Sequence, residues 1–166
     1  METTRRRRDR RRMTEKLVPA DPCAPAMRPL VERHLEDMLA TSPPGSSHAL
    51  DPAALAGPGV RFFALYEGGE VLGFGALKRL SADHGELKSM RILAPARGRG
   101  LGRVLLRLLI AEARAMGLGQ LSLETGVQPA YAAAVALYRT EGFADCPPFA
   151  DYTPDPASLF LTRLLD

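Results

Sequence analysis

Apolar and polar positions along this chain fall into helix-like and strand-like stretches that take turns. Across residues 24–40, Met27, Leu30, Val31, His34, Leu35 and Met38 recur at the spacing of one helical face. Residues 60–66 and 70–80 read as strands, and Gly68-Gly69 between them is a hairpin signal. A short first strand is expected at 15–19, and Asp51 is placed to cap a short helix running to Leu55. Residues 86–91 form a further strand, followed after a turn by a long apolar helix over 101–116. A strand at 121–125, an Ala-rich helix that starts at Pro129 and stops at Gly142, and a last strand over 158–164 complete the pattern. Mixed strands and helices around a central hairpin predict an α/β (α+β) fold with a mostly antiparallel central sheet of about six to seven strands flanked by helices. On the 101–116 helix, Arg103, Arg107 and Arg114 share one narrow face, whereas Glu112 falls within the apolar arc without an evident partner.

Between strand 86–91 and its helix lies Arg97-Gly98-Arg99-Gly100-Leu101-Gly102-Arg103. Glycines let such a loop bend tightly, and a helix N-terminus presents free N–H groups with about half a positive charge. Arg97, Arg99 and Arg103 add full charges, so the loop suits a pyrophosphate or another anion. Neither the dinucleotide fingerprint G-x-G-x-x-G nor a P-loop ending in Lys-Ser or Lys-Thr is present.

Arg97, Gly100 and Gly102 do match R-x-x-G-x-G/A, the signature of the GNAT superfamily of N-acetyltransferases, which this chain resembles. The resemblance extends to Leu137-Tyr138-Arg139-Thr140-Glu141-Gly142-Phe143, which fits the family's L-Y-x-x-x-G-F, and covers about residues 14–165. Glu86-Leu87-Lys88-Ser89-Met90-Arg91 and Leu123-Glu124-Thr125-Gly126 are similar to a bacterial YsnE-like branch. The resemblance implies acetyl-coenzyme A as acetyl donor, with its pyrophosphate on the N–H groups of Gly98, Arg99, Gly100, Leu101, Gly102 and Arg103, beside Arg97. Its pantetheine arm is expected against the backbone of Ile92 and Leu93. Tyr138 is the expected proton donor to the leaving thiolate. A glutamate on the strand before the loop often serves as base in the family, and Glu86 matches approximately; Glu124 is the second candidate. Either also suits an ion pair with Lys88 or Arg91. Glu86 and Lys88 share one face of a strand too polar to be fully buried, which suggests a cleft. Many relatives carry Asn seven residues before the motif tyrosine to contact the cofactor, whereas here Tyr131 occupies that position.

Composition narrows the alternatives. The 166 residues, 46% of them hydrophobic, suit one domain with a real core, assigned to 13–166. No apolar run is long enough to span a membrane, and no signal-peptide pattern occurs, so a cytoplasmic protein is expected. Cys23, Cys146 and three scattered histidines give neither a disulfide framework nor metal-ligand spacing, so no metal is expected. Residues 1–12 carry seven Arg against Glu2 and Asp9, a balance of +5; subtracting it from the chain's +3 leaves −2 on the rest. The tail has nothing apolar to bury and is expected to be disordered. The near-neutral remainder and 6% aromatic content argue against a nucleic-acid-binding function. The expected protein is a monomer or homodimer acetylating a small-molecule amine by direct attack; a non-catalytic acyl-coenzyme A sensor on the same fold is the alternative. Acceptor cues conflict: Glu86, Glu124, Asp51 and Asp83 suit a cationic amine, Arg61, Lys88 and Arg91 an acidic one.

Overall fold

The structure is a computed structural model that describes residues 15–166; the Arg-rich tail of residues 1–12 lies outside them. Seven strands form one sheet: β1 (Glu15–Pro19), β2 (Val60–Glu67), β3 (Glu70–Arg79), β4 (His84–Ile92), β5 (Gln120–Gly126), β6 (Ala144–Asp145) and β7 (Ser158–Leu164). Their order is β1-β2-β3-β4-β5-β7-β6. Among the described residues four helices accompany them: α1 (Arg28–Thr41), α2 (Pro52–Leu55), α3 (Leu101–Ala115) and α4 (Ala132–Thr140). Neighbouring strands are antiparallel except β4 and β5, which run parallel because α3 crosses over between them.

Strand alternation assigns the two sheet faces. Phe63 and Leu65 of β2, Leu87 of β4, and Leu121 and Leu123 of β5 pack with Leu105, Leu106 and Leu109 of α3 and with Tyr138 of α4. Phe62, Ala64, Phe74 and Ala76 pack instead with Val31 of α1 and Leu55 of α2. The middle of the sheet is thus covered on both faces, and β2 and β3 are correspondingly apolar at every central position. By the same alternation Glu86 and Lys88 of β4, and Ser122 and Glu124 of β5, point away from α3.

The parallel pair is short. β4 and β5 are in register only from His84↔Gln120 to Glu86↔Ser122, after which they no longer pair with each other. A register shift of β4 against β3 between Phe74 and Ala76, with Ser89 at φ 55°, marks a β-bulge at the parting point. Beyond it β4 pairs only with β3, and β5 only with β7, so two strand edges face each other across a V-shaped gap.

The sequence reading of strands 15–19, 60–66, 70–80 and 158–164 agrees with β1, β2, β3 and β7 to within a residue. Helix α1 begins four residues later than the hydrophobic period suggests, because Pro25 and Pro29 confine it, with Pro29 in its first turn. The two-residue strand β6 was too short to carry a period. Glu112 is half-buried on the flank of α3, and Arg103 and Arg107 of the same helix both bind Glu141, at 3.1 and 2.9 Å.

Candidate functional site

After β4 the chain makes a single turn at Ala94–Ala96, crosses Arg97–Gly100 and enters α3. Gly100 is the residue preceding the helix and has φ 73°; Gly98 has φ 79°. A Cβ at either would have no atom within 4 Å, so it is the left-handed backbone, not crowding, that requires glycine here. Among the described residues no side chain caps α3, which leaves its first N–H groups open to a ligand. They border a groove of about 390 Å³ lined by Ile92, Arg97, Gly98, Gly102, Arg103 and Leu137. The three arginines are not equivalent. Arg99 is drawn aside to Glu67 at 2.7 Å and Arg103 to Glu141, whereas Arg97 lies back along the groove toward the Ile92 carbonyl, at 3.4 Å. Leu93 turns the other way: its N–H donates to Leu72 O and its carbonyl accepts from Ala96 N, both at 2.9 Å. Of the two backbone positions expected to meet a pantetheine arm, only Ile92 therefore faces the groove.

The groove leads into a larger cleft of about 680 Å³ that occupies the gap between β4 and β5, and the two share Ile92, Arg97, Gly102 and Leu137. Tyr138 lines the cleft from α4, edge-on to Phe143 with ring centroids 5.9 Å apart. Burial pushes its pKa up to about 12, so its hydroxyl keeps its proton at neutral pH. Ser89, at the bulge, has its hydroxyl enclosed without a hydrogen-bond partner among the described residues.

Across the sheet the cleft opens among polar groups. Tyr152, from the loop before β7, donates to Glu86 Oε2 at 2.5 Å and accepts from Lys88 Nζ at 2.8 Å. Lys88 Nζ also reaches Glu86 Oε2 at 3.2 Å, and both side chains are buried, at 8% and 3% exposure. Loss of hydration and the adjacent Glu86 carboxylate raise the pKa of Tyr152. Glu124 is different. It accepts from Ser158 Oγ at 2.9 Å but has no cationic partner within ion-pair distance among the described residues. Burial raises its pKa; the Ser158 bond, His48 and Lys88 oppose the rise, and Glu86 adds to it. At the far rim, Arg91 is ion-paired with Asp37 and donates to His34 Nδ1 at 3.0 Å. Burial, then the Arg91 charge, lowers the pKa of His34 to about 4, so the imidazole is neutral and accepts this bond.

The structure thus brings Tyr138, Glu86 and Glu124 to one cleft and the 97–103 loop to its entrance. Tyr152, His34 and Asp37 were missed. Tyr152 sits in a Pro-rich loop with no period, and its partners are 64 and 66 residues away. His34 read as one more position on the buried face of a helix. Among the described residues no group of three or more His, Cys, Asp or Glu is arranged to hold a metal, and no helix is long and apolar enough to cross a membrane.

Comparison with known proteins bears on the same region. The model of the acetyltransferase (GNAT) family matches residues 27–143, which include the loop and most of the cleft's lining but not Tyr152. The uncharacterized N-acetyltransferase YedL of Escherichia coli (strain K12) is 48% identical over 141 residues, 85% of this chain and 89% of that protein. The uncharacterized N-acetyltransferase YsnE of Bacillus subtilis (strain 168) is 46% identical over 136 residues, 82% and 90% of the two chains. A solved structure from Klebsiella pneumoniae, provisionally named an acyl-CoA N-acyltransferase, superposes with TM-score 0.74 at 31% identity, covering 92% of this chain and 98% of that one.

The state of His34 predicts how stability follows pH. The unfolded imidazole takes a proton near pH 6.5 and the folded one only near 4, so acidification through that window favours the unfolded chain. Denaturant unfolding should lose up to about 3 kcal/mol between pH 7 and pH 4 from this group. His34→Gln should flatten that part of the profile; an unchanged slope would contradict a neutral buried His34.

Proposed function

The chain belongs to the acetyltransferase (GNAT) family and is an acyltransferase; from that premise we propose that it transfers an acetyl group from acetyl-coenzyme A to the amine of a small molecule by direct attack in a ternary complex. The observation that carries this reading is one continuous passage. It starts at the uncapped N-terminus of α3, runs through the gap between β4 and β5, and ends beside Glu124. Acetyl-coenzyme A supplies an activated thioester. The donors present fit it: open N–H groups at residues 98–103 and Arg97 suit a pyrophosphate, and two unpaired strand edges suit an arm that carries amides.

The remaining steps fall to side chains of this chain. An ammonium must lose a proton before it can attack. Glu86 is already bound by Lys88 and Tyr152, so we assign the base to Glu124. Its raised pKa makes it a stronger proton acceptor than an ordinary carboxylate, and its lack of a cationic partner among the described residues leaves room for the ammonium. Lys88 and Glu86 offset each other beside it, so among the described residues the acceptor end carries the negative charge of Glu124; this favours a cationic amine over an acidic acceptor. Tyr138 holds a proton on its hydroxyl for the departing thiolate.

Two measurements test this. Calorimetry should show micromolar binding of acetyl-coenzyme A, lost in Gly100→Asp, which adds a negative charge at the anion loop; unchanged affinity in a folded variant would displace the loop from the donor site. Initial rates over a panel of primary amines should fall about 100-fold in Glu124→Gln and about 10- to 1,000-fold in Tyr138→Phe. The wild-type rate should climb with pH as Glu124 deprotonates, and Glu124→Gln should lose that rise. A retained rise in Glu124→Gln, lost in Glu86→Gln, would return the base to Glu86.

A further inference from the structure

Tyr131 spans the open end of the gap between β4 and β5. It ends the turn Pro129–Tyr131 ahead of α4, on the β5 side. Its hydroxyl meets Thr41 Oγ1 at 2.7 Å and Ser42 Oγ at 3.3 Å, at the C-terminus of α1, and lies 3.5 Å from Met38 Sδ. That end of α1 belongs to the β4 side, because Asp37 and His34 hold Arg91 of β4. The bond from Tyr131 to Thr41 therefore joins the two rims. The ring is seated as well as bonded: a Cβ at Gly126, the last residue of β5, would stand 2.4 Å from Tyr131 Cε2. Gly126 is thus required for the ring to lie across the strand end. Met38, Thr41, Ser42 and Tyr131 all line the cleft.

We propose that Tyr131 is a positioning residue that bars the open end of the gap and retains the coenzyme arm inside it, with Thr41 and Ser42 as its catch. This rests on the coenzyme A reading above. The bar is held by neutral hydroxyl-to-hydroxyl bonds, which are weak enough to open and close. The arm enters when the catch is open and is held when it closes. The anion loop fixes the pyrophosphate from the α3 face of the sheet, and Tyr131, tied to α1 on the other face, keeps the arm from swinging out of the gap.

The test is the kinetics of coenzyme A itself, followed by surface plasmon resonance on the immobilised full chain, so no acceptor is needed. Tyr131→Phe keeps the ring on Gly126 and removes the catch; Thr41→Val removes the partner and serves if the first variant folds poorly. Each should raise the dissociation rate about 3- to 10-fold, the loss of about one neutral hydrogen bond, with the melting temperature nearly unchanged. The double variant should dissociate no faster than Tyr131→Phe, because that change already removes the bond that Thr41→Val breaks. Unchanged dissociation in both singles, with or without a lower melting temperature, would overturn the proposal and leave a structural tie. Additive effects in the double would overturn it too. If the wild type does not bind coenzyme A at all, the coenzyme reading itself fails, a result distinct from binding with unaltered kinetics.

Discussion

The separation of β4 from β5 after a short parallel pairing is the constraint on which the rest of the site depends. Sheet strands that part leave backbone N–H and C=O groups without partners, and such groups are rarely left so in a protein interior. Here the cost is confined to one place. β3 and β7 satisfy the outer edges of the two strands, the bulge at Ser89 turns β4 away, and only the inner edges remain open. An open pair of strand edges is a ladder with its middle rung missing. A ligand bearing amides would complete it, and the proposed coenzyme site rests on that fit.

Everything else is arranged around that gap. α3 packs against the sheet face that buries Leu87, Leu121 and Leu123, so its N-terminus arrives at the end where the strands diverge. On β4 and β5 the opposite face is polar because Glu86, Lys88, Ser122 and Glu124 alternate with those leucines. The two carboxylates of that face differ only through their neighbours. Glu86 is matched by Lys88 and Tyr152, whereas Glu124 has, among the described residues, Ser158 alone within hydrogen-bond distance and a raised pKa. One carboxylate is engaged by a cation and a phenol, and the other is the one proposed above as base.

Local signals were legible in the sequence and long-range ones were not. The hairpin at Gly68-Gly69, the glycine loop ahead of α3 and the last strand are read from a few adjacent residues, and each lies where the pattern places it. The family followed from two motifs because their spacing is set by one helix, one strand and a second helix. The bulge was not legible, because Ser89 is not a residue type that announces a positive φ. Nor was the split between Glu86 and Glu124, which depends on a tyrosine in an aperiodic loop. Leu93 shows the same limit: adjacent to Ile92 in sequence, it is committed to β3 and the following turn. Tyr131 stood out only as a departure from the family pattern, and its partners on α1 are about 90 residues away.

The central claim is that the facing edges of β4 and β5 are an unfinished ladder completed by coenzyme A. Amide hydrogen exchange, read residue by residue by NMR with and without coenzyme A, tests it most directly. Some amides within residues 89–92 and 123–126 should exchange fast in the free protein and become protected on binding, together with those of residues 98–103. Protection confined to the loop, with the strand edges already slow or unaffected, would contradict it.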